Sequence, residues 1–131
     1  MSDFKSIISK VQDFHDVFGL SSLERPQADI GQSQIALRHR LMSEENDEYL
    51  EAANNNDLTL VADALGDKLY ILCGTIIAHG LQHKIVEVFE EIHRSNMSKL
   101  DAEGKPVRRE DGKVLKSERY FPPNISSILD K

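Results

Sequence analysis

Several features that would place a protein in a special class are missing from this sequence. Its 131 residues include no tryptophan and one cysteine. A single cysteine excludes an internal disulfide framework. The single thiol, Cys73, lies in the apolar run LYILCGTII, where we expect a buried, unreactive side chain. No uninterrupted apolar run approaches the roughly 20 residues that cross a bilayer. We therefore expect no membrane partner.

Positive charge is also scarce. The chain has 16 Lys and Arg against 22 Asp and Glu, a formal net charge of −6, which argues against a general nucleic-acid binder because such affinity comes from a basic surface. Residues 1–95 hold 8 of the basic and 16 of the acidic residues, whereas residues 96–131 hold 8 and 6. An acidic body with a basic tail suits a site that takes both a divalent cation and a polyphosphate. The N-terminal MSDFKSIISK mixes charged and apolar residues, unlike a secretory leader, so we expect a soluble, cytoplasmic protein.

The spacing of apolar residues predicts four helices. The first runs from Phe4 to Phe18 and includes His15, which we interpret as a core residue, and the second covers about residues 33–54. Asp57 is the predicted N-cap of a third helix that ends near Gly80 and is apolar on nearly all sides, so it is predicted to lie in the middle of the protein. The fourth covers about residues 82–94.

These elements predict an all-α fold, with a four-helix-bundle-like core and a C-terminal tail that is irregular or contains a hairpin. The tail is rich in turn signals, and the hairpin is expected around Asp111 and Gly112.

Five carboxylates interrupt the apolar pattern of the second and third helices. An unpaired carboxylate in an apolar interior is costly enough to lose its charge, so this group needs basic partners or a metal. Mg²⁺ or Mn²⁺ would satisfy it, because these hard cations take carboxylate oxygens. The alternative is that some of these acids lie on a solvated face. The candidate metal ligands are Glu44, Glu45, Glu48, Asp63 and Asp67.

The same residues resemble the motif of the MazG-like all-α nucleoside triphosphate pyrophosphatases, which include the phosphoribosyl-ATP pyrophosphohydrolases. EENDE, residues 44–48, fits that family's EExxE. The following ExxD is incomplete, because Ala64 stands three residues before Asp67 where the family has glutamate. The strings ADALGDKLYILCGT, VFEEIHRSNMSKL and GKPVRREDGKVLKSERYFPP are similar to a bacterial and phage branch of the family.

The resemblance implies a metal-dependent enzyme that cleaves a nucleoside triphosphate between its α and β phosphates, giving a monophosphate and pyrophosphate. It implies Mg²⁺ or Mn²⁺ as cofactor, Glu45 or Glu48 as the base that activates water, and a homodimer or higher homo-oligomer. Residues 1–95 would form the helical metal-binding catalytic core, and residues 96–131 a basic extension packing on the same domain. The expected phosphate or base contacts are Arg38, Lys68, Arg94, Asn96 and Lys99.

Two alternatives to this enzyme stay open. A di-iron bundle would use Glu-x-x-His pairs, of which Glu90 to His93 supplies one and no second is found. A non-catalytic protein that keeps the metal site and only binds or senses a nucleotide is supported by the missing ExxD glutamate. The preferred base and sugar are also open, so sanitising of the nucleotide pool is a family-level expectation.

Overall fold

The computed structural model describes residues 3–130 and is mostly helical. Its elements in chain order are α1 (Phe4–Phe18), α2 (Gln32–Asn54), α3 (Leu58–Ala78), α4 (Ile85–Met97), β1 (Val107–Arg108), β2 (Val114–Leu115) and α5 (Ile125–Leu129). The predicted all-α class is confirmed. None of the helices within the described residues is long and apolar enough to cross a membrane.

The chain forms two compact units, one ending at His83 and the other beginning at Lys84. The first contains α1, α2 and α3, and the second contains α4, the small hairpin and α5. We also expect a catalytic core up to residue 95, followed by a basic extension. This division concerns function, which the two compact units do not test, so it stays a prediction.

The helix ends of the first unit follow from local chemistry. The Asp3 carboxylate accepts a hydrogen bond from the Ser6 amide at 2.8 Å and caps α1, and Asp57 caps α3 by accepting from the Leu60 amide at 3.1 Å. After α3 the chain turns at Gly80, whose φ is +69°. A Cβ on Gly80 would lie 2.0 Å from the Arg25 carbonyl oxygen. Only glycine therefore fits this turn without a shift of the backbone.

The core of the first unit lies where α1 and α2 meet the C-terminal half of α3. Cys73 and Ile77 are fully buried, and burial raises the pKa of the Cys73 thiol, as expected for an unreactive core cysteine. His15 is also buried, and its Nδ1 lies 3.0 Å from the Ser21 carbonyl oxygen. The interpretation of His15 as a hydrogen-bonded core residue is confirmed.

Helix α3 differs from the helix covered on all sides that its composition predicts. Ala64 and the residues from Cys73 to Ala78 are mostly buried, but five leucines are 40–80% exposed. The helix is apolar all round, but the described residues of this chain leave part of its apolar surface uncovered. Leu60 lines the cavity that also contains Asp63. The other exposed leucines share one face of the helix and are Leu58, Leu65, Leu69 and Leu72.

The second unit folds the tail onto the end of α4. Ser95 is buried and its hydroxyl donates to the Phe121 carbonyl at 2.9 Å, while the Phe121 amide donates to Ser98 Oγ at 3.1 Å. The predicted hairpin is present, with Val107 opposite Leu115 in antiparallel register. Within the string HRSNMSKL, the two serines therefore hold the tail in place.

Candidate metal centre

Helices α2 and α3 are antiparallel and joined by residues 55–57. Near the start of α2, Arg38 hydrogen-bonds Thr75, which lies near the end of α3. Further along α2, Asn46 accepts a hydrogen bond from Lys68, which lies earlier in α3. Acidic residues in the C-terminal half of α2 therefore face acidic residues in the N-terminal half of α3.

This pairing brings three carboxylates together. One oxygen each from Glu45, Glu48 and Asp67 lies within 4.8 Å of the others. Glu45 is partly buried, and the other two are exposed. Carboxylates at this spacing can share one hard divalent cation. Sequence spacing predicts all three members of this cluster.

The Glu45 carboxyl is the partly buried member of the cluster. Its pKa is raised, first by burial, then by a hydrogen bond with Glu48, and then by the negative charges of Glu48, Asp67 and Asp63. Its Oε2 atom is buried, and no atom of the described residues hydrogen-bonds it. A buried acceptor without a donor is costly. A bound cation would satisfy this oxygen and neutralise the repulsion, so the residues fit a divalent metal.

The other two predicted ligands lie outside the cluster. Asp63 is close enough to raise the pKa of Glu45 and lines a cavity of about 330 Å³ together with Glu48 and Ala64. Glu44 is exposed and forms an ion pair with Arg40, one turn earlier on α2, with a nitrogen to oxygen distance of 3.9 Å. The structure thus turns Glu45 and Glu48 toward α3 and leaves Glu44 on the solvent side.

The predicted phosphate contacts are in different surroundings. Lys68 follows Asp67 in α3 and donates a hydrogen bond to Asn46, which follows Glu45 in α2, so this bond joins the two helices that hold the carboxylate cluster. Arg38 is buried, and its guanidinium donates to Thr75 Oγ1 at 3.1 Å and to the Ile71 carbonyl at 2.9 Å.

Three further candidates belong to the second unit. Arg94 forms two hydrogen bonds with the Glu91 carboxylate, at 2.8 and 3.1 Å, and its guanidinium carbon lies 4.5 Å from the centre of the Phe121 ring. Asn96 is exposed and Lys99 is partly buried. Their substrate-binding roles stay predictions.

The structure adds residues that the sequence interpretation passes over. Asn46 and Thr75 hydrogen-bond Lys68 and Arg38, respectively, across the α2–α3 contact. Asn46 could be found because it lies inside the acidic motif, whereas nothing local distinguishes Thr75. For the di-iron alternative, Glu90 and His93 are exposed, and the cluster found in the described part of the chain contains no histidine.

An all-α fold with carboxylates clustered between two antiparallel helices defines a class of helical proteins suited to hard divalent cations. The sequence model of the phosphoribosyl-ATP pyrophosphohydrolase family matches residues 11–96, more than half of the chain. The chain belongs to this family, whose membership supports a pyrophosphohydrolase-type activity on a nucleotide. The match includes the whole carboxylate cluster and ends at residue 96, where the tail begins. No sequence among curated proteins is similar enough to count as a match.

Proposed function

We propose that this protein is a metal-dependent nucleoside triphosphate pyrophosphohydrolase. It would cleave an NTP or dNTP between the α and β phosphates and release a nucleoside monophosphate and pyrophosphate. The observation that carries the proposal is the cluster of Glu45, Glu48 and Asp67, with a buried carboxylate oxygen that has no donor among the described residues. Membership of the phosphoribosyl-ATP pyrophosphohydrolase family supports the reaction type.

The cluster would hold Mg²⁺ or Mn²⁺ through these three carboxylates, with Asp63 and Glu44 as the outer candidates. When bound, the cation supplies positive charge that neutralises the polyphosphate and makes water easier to deprotonate. Glu45 and Glu48 are the candidate bases.

Lys68 is the first candidate for binding the substrate phosphates, since its ammonium group bonds Asn46 across the two helices that hold the carboxylates. Arg94, Asn96 and Lys99 are further candidates from the second unit. A role in sanitising the nucleotide pool of the cytoplasm, without nucleic-acid or membrane partners, is part of the same proposal.

We also propose that the protein is a homodimer through the exposed face of α3. Leu58, Leu65, Leu69 and Leu72 recur at intervals of seven, four and three residues, the spacing of an apolar seam between paired helices. Large apolar side chains exposed in a contiguous row mark association surfaces. A second copy of α3 would cover these leucines.

The experiment is a pyrophosphate-release assay with a panel of NTPs and dNTPs, including dUTP and phosphoribosyl-ATP, in Mg²⁺ or Mn²⁺ with an EDTA control. We expect metal-dependent release of pyrophosphate together with the monophosphate. Phosphate release in place of pyrophosphate, or activity that survives EDTA, would contradict the proposal.

A second candidate is a protein that binds or senses a nucleotide without turning it over. Ala64, in place of the ExxD glutamate, favours it because it removes one carboxylate from the side of α3 that faces Glu48. Tight binding of a nucleotide, by calorimetry, with no pyrophosphate released in saturating Mg²⁺ or Mn²⁺ would support this candidate.

A further inference from the structure

Arg38 is a buried cation without a charged partner. Its residue is 6% exposed, and no carboxylate among residues 3–130 forms an ion pair with it. The guanidinium is instead bound by α3, through the Thr75 hydroxyl and the Ile71 backbone carbonyl. The Thr75 hydroxyl donates in turn to the same carbonyl at 3.0 Å. Because these acceptors are neutral, Arg38 is costly to bury, and stability alone does not account for its presence.

Gly74 makes room for this guanidinium. A Cβ at position 74 would lie 2.6 Å from Arg38 Nη2 and 2.8 Å from His15 Nε2. Real Cβ contacts are not that short, so any side chain at this position would displace both groups. The side chain of α2 therefore reaches the backbone of α3 through a gap that only glycine leaves open.

The position of this contact sets the position of the carboxylates. Arg38 lies seven residues before Glu45 on α2, which is close to two helical turns and thus on the same face. Ile71 lies four residues after Asp67 on α3, about one turn away on the same face. Since the helices are antiparallel, a fixed contact between Arg38 and Ile71 holds Glu45 opposite Asp67. A slip by one turn, about 5.4 Å, would separate the carboxylates beyond the reach of one cation.

We infer that Arg38 is a positioning residue that sets the register of α2 against α3 and so assembles the carboxylate cluster, instead of binding a substrate phosphate. This inference rests on the proposed metal site but not on the identity of the substrate. It also assigns a role to Thr75 and Gly74, which have no acidic or basic side chain to offer to a ligand.

The test measures Mn²⁺ binding to the full chain without nucleotide, by calorimetry and by the electron paramagnetic resonance signal of free Mn²⁺. Arg38→Met keeps the aliphatic stem and removes the donors, and Arg38→Lys keeps the charge. Thr75→Val removes one acceptor at constant shape, and Thr75→Ser restores it. Val11→Ala is the control, because Val11 is 2% exposed in α1 and its truncation lowers stability without changing a residue of α2 or α3.

We expect Arg38→Met to weaken Mn²⁺ binding by about 10- to 100-fold, the loss seen when a group that orients metal ligands is removed. Thr75→Val should weaken it by less, Arg38→Lys should fall between Arg38→Met and wild type, and Thr75→Ser should bind Mn²⁺ as wild type does. Val11→Ala should keep wild-type affinity despite a lower melting temperature. If Arg38→Met does not fold, the comparison between Thr75→Val and Thr75→Ser decides the question.

Unchanged Mn²⁺ affinity in Arg38→Met and Thr75→Val, with a raised KM for nucleotide, would overturn the inference and return Arg38 to a phosphate-binding role. An equal loss of affinity in Val11→Ala would also overturn it, because the effect would then follow general stability. Wild-type protein that binds Mn²⁺ but releases no pyrophosphate would overturn the proposed function and leave the inference about Arg38 standing. A wild-type protein that binds no Mn²⁺ would overturn both.

Discussion

Ala64 and Glu48 line the same cavity of about 330 Å³ between α2 and α3. Ala64 is 3% exposed, and it occupies the position where the ExxD motif has a glutamate. A carboxylate at position 64 would therefore start next to Glu48 and Asp63, inside an acidic cavity. The small side chain both leaves this space open and withholds a ligand from the cluster.

We expect Ala64→Glu to bind Mn²⁺ about 10-fold more tightly than wild type, because it adds a fourth carboxylate. The metal-free variant should melt at a lower temperature, since the new charge meets two others. Ala64→Gln is the matched control, which fills the same space without charge and should gain no affinity. Equal Mn²⁺ affinity for the glutamate and glutamine variants would contradict the expected position of the side chain.

Replacing a member of the cluster should abolish turnover while leaving the helices intact. We expect Glu48→Gln and Asp67→Asn each to reduce kcat/KM by at least about 100-fold, through loss of a metal ligand or base. The matched control is Asp47→Asn, since Asp47 is exposed and outside the cluster on the same helix. Pyrophosphate release and circular dichroism are the measurements. Activity near the wild-type level in either variant would show that the metal site lies elsewhere.

Glu45→Gln should have opposite effects on stability with and without metal. In the metal-free protein at neutral pH we expect a rise of a few degrees in melting temperature, because the raised pKa of Glu45 reports burial and repulsion that a neutral side chain avoids. With saturating Mn²⁺ the wild type should gain more than the variant, since binding to the folded state stabilises it. Calorimetric melting with and without Mn²⁺ measures both. A variant that is less stable than wild type in EDTA would contradict the repulsion argument.

The second unit should lose stability in acid through Glu91. Hydrogen bonds from Arg94 and from the Asn124 amide lower the pKa of this carboxyl. A lowered folded pKa means that the stabilisation is complete above the ordinary glutamate pKa of about 4.3 and is lost as pH falls through the folded value. In Glu91→Gln, the Asn124 amide hydrogen should therefore exchange with solvent faster than in wild type at about pH 6. The difference in exchange rate should shrink toward about pH 3. A difference that is constant over this range would contradict the linkage.

A charge on the exposed face of α3 should break the proposed homodimer. Leu72 is 42% exposed and lies away from the carboxylate cluster. We expect Leu72→Lys to halve the molar mass measured by light scattering at micromolar protein concentration, because a buried unpaired lysine is costly. Val114→Lys is the control, since Val114 is 44% exposed in β2. A wild-type protein that is already monomeric would refute the proposal.

The sequence predicts the helices well because their ends carry local signals. Asp57 and Gly80 mark the limits of α3 without reference to any other element. The cluster is predicted in outline for a similar reason, since residues three and four apart share a helix face. Glu44 and Glu45 are one residue apart, however, and which of them faces α3 depends on how the two helices pack. How two helices pack is not a local property of the sequence. The structure shows that Glu45 faces α3 and that Glu44 instead forms an ion pair with Arg40.

The contacts of Arg38 could not be predicted from the sequence. An arginine near an acidic motif is expected to bind phosphate, because its charge is visible in the sequence. The acceptors that bury it are a backbone carbonyl and a hydroxyl on another helix, and the space it uses is the missing side chain of Gly74. Backbone acceptors and empty space leave no signal in a single sequence.

The carboxylate cluster and the Arg38 contact both lie in one continuous segment, from Arg38 to Thr75, that closes as a helical hairpin over a short connection. Because the connection between α2 and α3 is short, helix pairing that spreads from it costs little loop-closure entropy and forms quickly. During synthesis this hairpin can close while α4 and the tail are still emerging from the ribosome. The metal ligands of the proposed enzyme would then meet early in folding, and a nascent chain could take up its cation before it is complete.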